Sequence, residues 1–190
     1  ARIHATLKAM NHPGLNVQLI DDDIVTEANL GRQLFSECDI GRNKASVIIE
    51  RINRFYGTNW GYSNSRIDST YGLSVNIVIS CVDNMKTRRS IDKIVKRYSK
   101  INIYQDAQQH LLYWFDFGNG ATFGQVFIQE GKSEKKEFCN GEKLHVQLKS
   151  IKKMFPKFLL QKDKPSEQSC SVAEAITRQD LFVNTFLSQL

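Results

Sequence analysis

Six residues carry the chemistry this sequence offers: Asp21, Asn29, Arg32, Lys44, Asp83 and Cys170. Asp21 follows Val17, Leu19 and Ile20, which read as the end of a buried strand, and an acidic side chain at such a tip is placed to grip a ribose. Asn29 and Arg32 follow within reach of the groups beyond a ribose, where a guanidinium meets phosphate as a bidentate fork. Lys44 falls in the first turns of a predicted helix, where a cation opposes the helix dipole and so asks for an anionic partner. A solvated lysine is the plain alternative. Asp83 comes just after the β-branched run Val75-Asn76-Ile77-Val78-Ile79-Ser80, beyond the carboxyl end of a strand, where ligands of open α/β sheets bind. Hydride transfer needs a ribose anchor and a substrate acid or base. Attack on a phosphate ester instead needs cations on the phosphates and a carboxylate for Mg²⁺. The set of cations, carboxylates and an amide converging on one sheet edge favours phosphate chemistry over a nicotinamide-dependent oxidoreductase. Cys170 directly precedes a predicted helix, whose positive end favours thiolate, and is the best nucleophile candidate among Cys38, Cys81, Cys139 and Cys170.

Several neighbours have plainer explanations. Asp22 and Asp23 read as solvated turn residues, with a minor role beside a metal as the alternative. Asn29 could serve as a helix cap and Arg32 as a surface ion pair contributing at most about 1 kcal/mol. Cys81, after a buried strand, reads as a small core residue. His4, His12, His110 and His145 have no metal-ligand spacing, and Trp60 and Trp114 read as packing residues.

The elements that must position these groups alternate between strand and helix. Residues 1 to 10 read as a helix, His12-Pro13-Gly14 breaks it, and residues 15 to 20 form a strand. That is the second half of a βαβ unit, in which the acidic residue lies about 20 residues beyond a glycine-rich phosphate loop. The first strand and its loop are therefore expected to precede Ala1. Ala45, Ile48, Ile49, Ile52 and Phe55 predict a helix over residues 39 to 56, stopped by Gly57. A further helix over residues 85 to 98 buries Ile91, Ile94, Val95 and Tyr98 and turns its basic residues to solvent. Residues 101 to 104 read as a strand, and residues 111 to 117 and 122 to 129 as a hairpin through Gly118-Asn119-Gly120. Residues 144 to 160 are partly helical, interrupted at Pro156. Ser171 and Glu174 form a capping box before a helix with Val172, Ile176, Val183, Phe186, Leu187 and Leu190 on one face. The expected fold is α/β, a Rossmann-like mixed sheet flanked by helices. Residues 1 to 190 read as a single domain with polar loops near 130–143 and 162–170.

Composition agrees. With 190 residues, 41% of them hydrophobic, the chain can bury one substantial core. No apolar run reaches the roughly 18 to 20 residues needed to span a bilayer, and no basic-then-apolar leader opens the chain, so a soluble cytoplasmic protein is expected. The four cysteines are scattered without C-x-x-C pairs, which argues against a disulfide framework or a zinc site. The net charge of +6 is spread along the chain rather than gathered in a tail, so nucleic-acid binding is not expected.

Three ordered motifs then carry a resemblance. Asp21-x-Asp23-x-Val25-x3-Asn29-Leu30-x-Arg32-Gln33, Gly41-x2-Lys44 and Cys81-Val82-Asp83-Asn84-x3-Arg88 resemble the ThiF, MoeB and ubiquitin-activating enzyme family. Asp116-x-Gly118 and Gly124-Gln125-Val126 are similar to the strand pair that closes the family sheet. Gly31-Arg32-Gln33-Leu34-Phe35 and Pro165-Ser166-x3-Cys170-Ser171-x2-Glu174-Ala175 resemble a narrower branch, the ThiF-related protein of bacterial plasmid cassettes. The resemblance implies ATP as substrate, its ribose on Asp21, its phosphates on Asn29, Arg32 and Lys44, and Mg²⁺ on Asp83. It implies adenylation of the C-terminal carboxylate of a ubiquitin-like or sulfur-carrier protein, in some members followed by transfer to a cysteine at the place of Cys170. It also implies a homodimer. A non-catalytic binding module that docks a carrier or partner subunit is the alternative. The zinc-binding cysteine pairs of many relatives are absent, and Lys44 follows Arg32 about one residue sooner than in the family.

Overall fold

A computed structural model describes residues 1–30, 33–99, 111–119, 124–131, 148 and 150–160. The chain divides into two compact units at Arg66 and Ile67.

The first unit opens with helix α1 (Arg2–Ala9), followed by strand β1 (Gln18–Ile20). A short helix α2 (Glu27–Leu30) and a 3-10 turn (Glu37–Asp39) lead to helix α3 (Lys44–Tyr56) and strand β2 (Gly61–Ser63). β1 and β2 pair in parallel, Leu19 opposite Tyr62. α3 begins at Lys44 rather than at residue 39 as periodicity predicts. Gly41 holds φ 82° between the 3-10 turn and the helix, and Asn43 caps α3 by accepting from the Ser46 N–H at 3.0 Å. The C-terminus stops as expected at Gly57, whose φ of 64° suits a residue without Cβ. Asn53 ties that end to β2: its Nδ2 donates to the Trp60 carbonyl, and its Oδ1 accepts from the Trp60 N–H, both at 2.9 Å. Val25, Ala45, Val47, Ile49 and Trp60 are buried. The polar stretch after Gly57 thus contains a strand that its composition does not announce.

The second unit contains β3 (Ile77–Ser80), α4 (Met85–Tyr98), β4 (Tyr113–Asn119), β5 (Gly124–Glu130), α5 (Ile151–Met154) and a 3-10 turn (Phe158–Leu160). β3 and β4 are parallel and β4 and β5 antiparallel, in the order β3-β4-β5, so the predicted mixing of directions is present. Gly118 and Asn119 belong to β4 rather than to the turn. α4 matches its predicted span residue for residue. Its core face packs Met85, Ile91 and Val95 with Leu111, Trp114, Ile151 and Leu159. The buried Gln129 side chain accepts from the Ile151 N–H at 3.0 Å, satisfying a donor that the start of α5 would otherwise leave open. The other sheet face is apolar yet open: Ile77, Ile79, Tyr113 and Ile128 are exposed. The predicted strand at 101–104 and the helix from Ser171 lie outside the described residues. Among the described residues, no helix is long and apolar enough to cross a membrane.

Candidate functional site

In the first unit the acidic run at the end of β1 is laced to the start of α3. The Asn43 side chain donates to the Asp21 and Asp23 carbonyls at 2.7 and 3.1 Å, and the Lys44 N–H donates to the Asp23 carbonyl at 2.9 Å. Val25 and Gly41 to Arg42 continue the lacing through backbone bonds of 2.8 and 2.9 Å. Asp21 is half-buried, and its Oδ1 accepts from the Asp23 N–H at 2.9 Å. Burial raises its carboxyl above the ordinary carboxylate range, opposed mainly by that N–H. Among the described residues, Asp21, Asp22 and Asp23 bring carboxylate oxygens within 4.8 Å of one another. Asp22 pairs with Arg66 at 3.0 Å and Asp23 with Lys44 at 2.8 Å, so cations of the chain answer two of the three charges. Lys44 therefore does have the anionic partner that its position asks for, and it comes from the same loop. Sequence reasoning treated Asp23 as a solvated turn residue; 21 positions of separation hid the pairing.

Asn29 is buried, and its Oδ1 accepts from both the N–H and the hydroxyl of Thr26, at 2.9 and 3.1 Å. It braces the first turn of α2 in the manner of a reciprocal cap. Arg32 lies outside the described residues. A carboxylate that sequence reasoning missed is the buried Asp39, whose Oδ2 accepts from the Ser36 N–H and hydroxyl, each at 2.8 Å, and from Arg51 Nη2. The Ser36 N–H above all, helped by that hydroxyl and the Arg51 guanidinium, holds Asp39 below the usual range. The Ser36-x2-Asp39 spacing was the available signal.

In the second unit Asp83 sits in the turn between β3 and α4. Its carboxylate is exposed, and Oδ1 accepts from Asn84 Nδ2 at 3.0 Å. Asn84 is the N-cap of α4 and accepts from the Thr87 N–H at 2.8 Å. An exposed hard oxygen ligand with its neighbouring backbone fixed suits Mg²⁺. Behind the turn lies a buried group that charge patterning assigned to solvent. Arg88 is buried, not on the solvated face of α4. Its Nη2 donates to the Val82 carbonyl at 2.6 Å, and its Nε stands 2.7 Å from Asp116 Oδ2. That last contact is a buried ion pair. The fully buried Asp116 also accepts from the Ser80 hydroxyl at 2.5 Å, and Trp114 Nε1 donates to that hydroxyl at 2.8 Å. Burial raises the Asp116 carboxyl; the Ser80 hydroxyl and the Arg88 guanidinium oppose it without prevailing. A Cβ at Gly118 would lie 3.2 Å from Arg88 Nη2 and 2.8 Å from Gln125 Nε2, so glycine leaves the guanidinium its room.

Cys81, expected as a core residue, is exposed; one step past β3, it continues the open face of Ile77 and Ile79. Cys170 lies outside the described residues. Trp60 and Trp114 are buried packing residues, as read from the sequence. No curated protein matches the chain. Residues 14–178 match the model of the ThiF family, a span that takes in both units with their aspartate motifs. That match covers well over half of the sequence, and the chain therefore belongs to the ThiF family.

Proposed function

We propose that the protein is an ATP-dependent adenylyltransferase that activates the C-terminal carboxylate of a ubiquitin-like or sulfur-carrier protein. The observation that carries this reading is the ThiF match over residues 14–178, since proteins of this family are typically adenylyltransferases that use ATP with Mg²⁺. In this reading Asp21 holds the ribose, and Asn29, Arg32 and Lys44 meet the phosphates. An ammonium has three donors, so Lys44 can keep Asp23 and still offer N–H groups to a phosphate oxygen. Asp83 supplies a carboxylate oxygen for Mg²⁺, which when bound offsets phosphate charge. The carrier carboxylate attacks the α-phosphorus, the bond to the bridging oxygen breaks, and pyrophosphate leaves with that electron pair. The product is an acyl-adenylate, which the Cys170 thiolate can attack to form a thioester with release of AMP. A single adenylation domain, a homodimer and a cytoplasmic setting complete the proposal.

The test is exchange of labelled pyrophosphate into ATP by the full chain with a candidate carrier. Exchange that requires the carrier, and that Asp83→Ala abolishes, is the expected result. One observation favours a second reading, a non-catalytic module that docks a carrier or partner subunit: Asn29 is buried, which limits its access to a phosphate. ATP binding without exchange by any carrier, and without effect of Asp83→Ala, would establish that reading instead.

A further inference from the structure

We propose that Arg88 is the positioning residue for the Asp83 carboxylate, acting through the peptide that joins Val82 to Asp83; this rests on the reading of Asp83 as the Mg²⁺ ligand. Arg88 Nη2 donates to the Val82 carbonyl at 2.6 Å. A peptide group is planar, so holding that carbonyl also fixes the Asp83 nitrogen and Cα. On the other side, Asn84 is fixed as the cap of α4 through its 2.8 Å bond with the Thr87 N–H. Asp83 is thus an exposed side chain mounted between two anchored backbone groups, the arrangement that orients a metal-binding carboxylate before the metal arrives.

The guanidinium is itself held on every side. Its Nε faces Asp116 at 2.7 Å, its Nη1 approaches Met85 Sδ at 3.2 Å, and its carbon lies 5.6 Å from the centre of the Phe158 ring. Asp116 is in turn fixed by Ser80, and Ser80 by Trp114. Stability alone gives weak grounds for this construction, because a buried ion pair can often be replaced by apolar residues without loss. A fixed donor aimed at one carbonyl gives better grounds. It also joins two sequence motifs that otherwise look independent: Asp116-x-Gly118 supplies the charge and the clearance for Arg88, and Arg88 holds the turn that ends in Asp83-Asn84.

The test uses the full chain with ATP and Mn²⁺ as the probe for the Mg²⁺ site, reading Mn²⁺ affinity by electron paramagnetic resonance and metal-free ATP affinity separately. Arg88→Lys keeps the charge opposite Asp116 but loses the fork, and is expected to weaken Mn²⁺ about tenfold, the usual effect of losing an outer-shell support. Metal-free ATP affinity should be unchanged. Adding Arg88→Lys to Asp83→Asn should weaken Mn²⁺ no further than Asp83→Asn alone, because the arginine acts through that carboxylate. Equal losses in both backgrounds, or a folded Arg88→Lys protein with unchanged Mn²⁺ affinity, would overturn the inference. If Arg88→Lys does not fold, Gly118→Ala decides: its methyl presses on Nη2 and should weaken Mn²⁺ measurably, and no change overturns the inference. Should Asp83→Asn itself leave Mn²⁺ binding intact, it is the metal-ligand reading of Asp83 that falls, and the inference falls with it.

Discussion

Each unit buries one carboxylate beside an arginine, and the two carboxylates are pushed in opposite directions. Asp39 is drawn below the ordinary range and Asp116 is raised above it. Both have little solvent-accessible surface, but burial is the largest influence on Asp116 and prevails there, whereas at Asp39 the Ser36 N–H outweighs it. Asp39 receives a backbone N–H, a hydroxyl and a guanidinium hydrogen bond on the same oxygen, whereas Asp116 receives one hydroxyl on one oxygen and the Arg88 guanidinium beside the other. A buried negative charge is kept when donors already fixed by the backbone point at it.

The largest effect should come from breaking the weaker arrangement. Arg88→Met leaves Asp116 without its cation and is expected to cost about 3–5 kcal/mol in urea denaturation, much of it recovered when Asp116→Leu is added. Removing the far end of the same chain is milder: Trp114→Phe takes the donor from the Ser80 hydroxyl and should cost about 1–2 kcal/mol. Acid titration of the denaturation midpoint separates the two carboxylates by sign. The folded pKa of Asp39 is lowered, so its contribution is in place above the ordinary carboxylate value and is lost as pH falls through the folded value. The folded pKa of Asp116 is raised, so its contribution is complete below the ordinary value and is lost as pH rises through the folded value. Asp39→Asn should therefore flatten the acid limb of the profile, and Asp116→Asn should remove a loss on the neutral side. The smallest effect belongs to the acidic loop. Asp23 is largely exposed, so Asp23→Asn should change stability by no more than about 1 kcal/mol, and by less in high salt.

The contrast also marks what a sequence can disclose. α4 and the β4–β5 hairpin were legible because their apolar periodicities agree with the surfaces they bury. The start of α3 was not, because Ala45 to Phe55 fixes a face and says nothing of where Gly41 turns the chain or where Asn43 caps it. β2 escaped notice because Gly61, Tyr62 and Ser63 carry no alternation; they form a strand by pairing with β1. Among the site candidates, Asp21, Asn29, Lys44 and Asp83 were found as residue types at strand and helix ends. The partners of Lys44 and Arg88 were not, since they are contributed by positions 21 and 28 residues away. The Cys81-Val82-Asp83-Asn84-x3-Arg88 motif singled out Arg88, but counting the basic residues of α4 gave no reason to bury it; its burial is a property of the sheet beneath it.

The clearance at Gly118 has a consequence for descent. Positions 88, 116 and 118 are expected to be inherited together, because the guanidinium uses the counter-charge at 116 and the clearance at 118. A relative that has exchanged Arg88 for an apolar side chain is released from aspartate at 116 and from glycine at 118, and the three columns should change together while Ser63 or Thr58 drift independently. Co-variation among them would be the evolutionary trace of a single side chain choosing its neighbours.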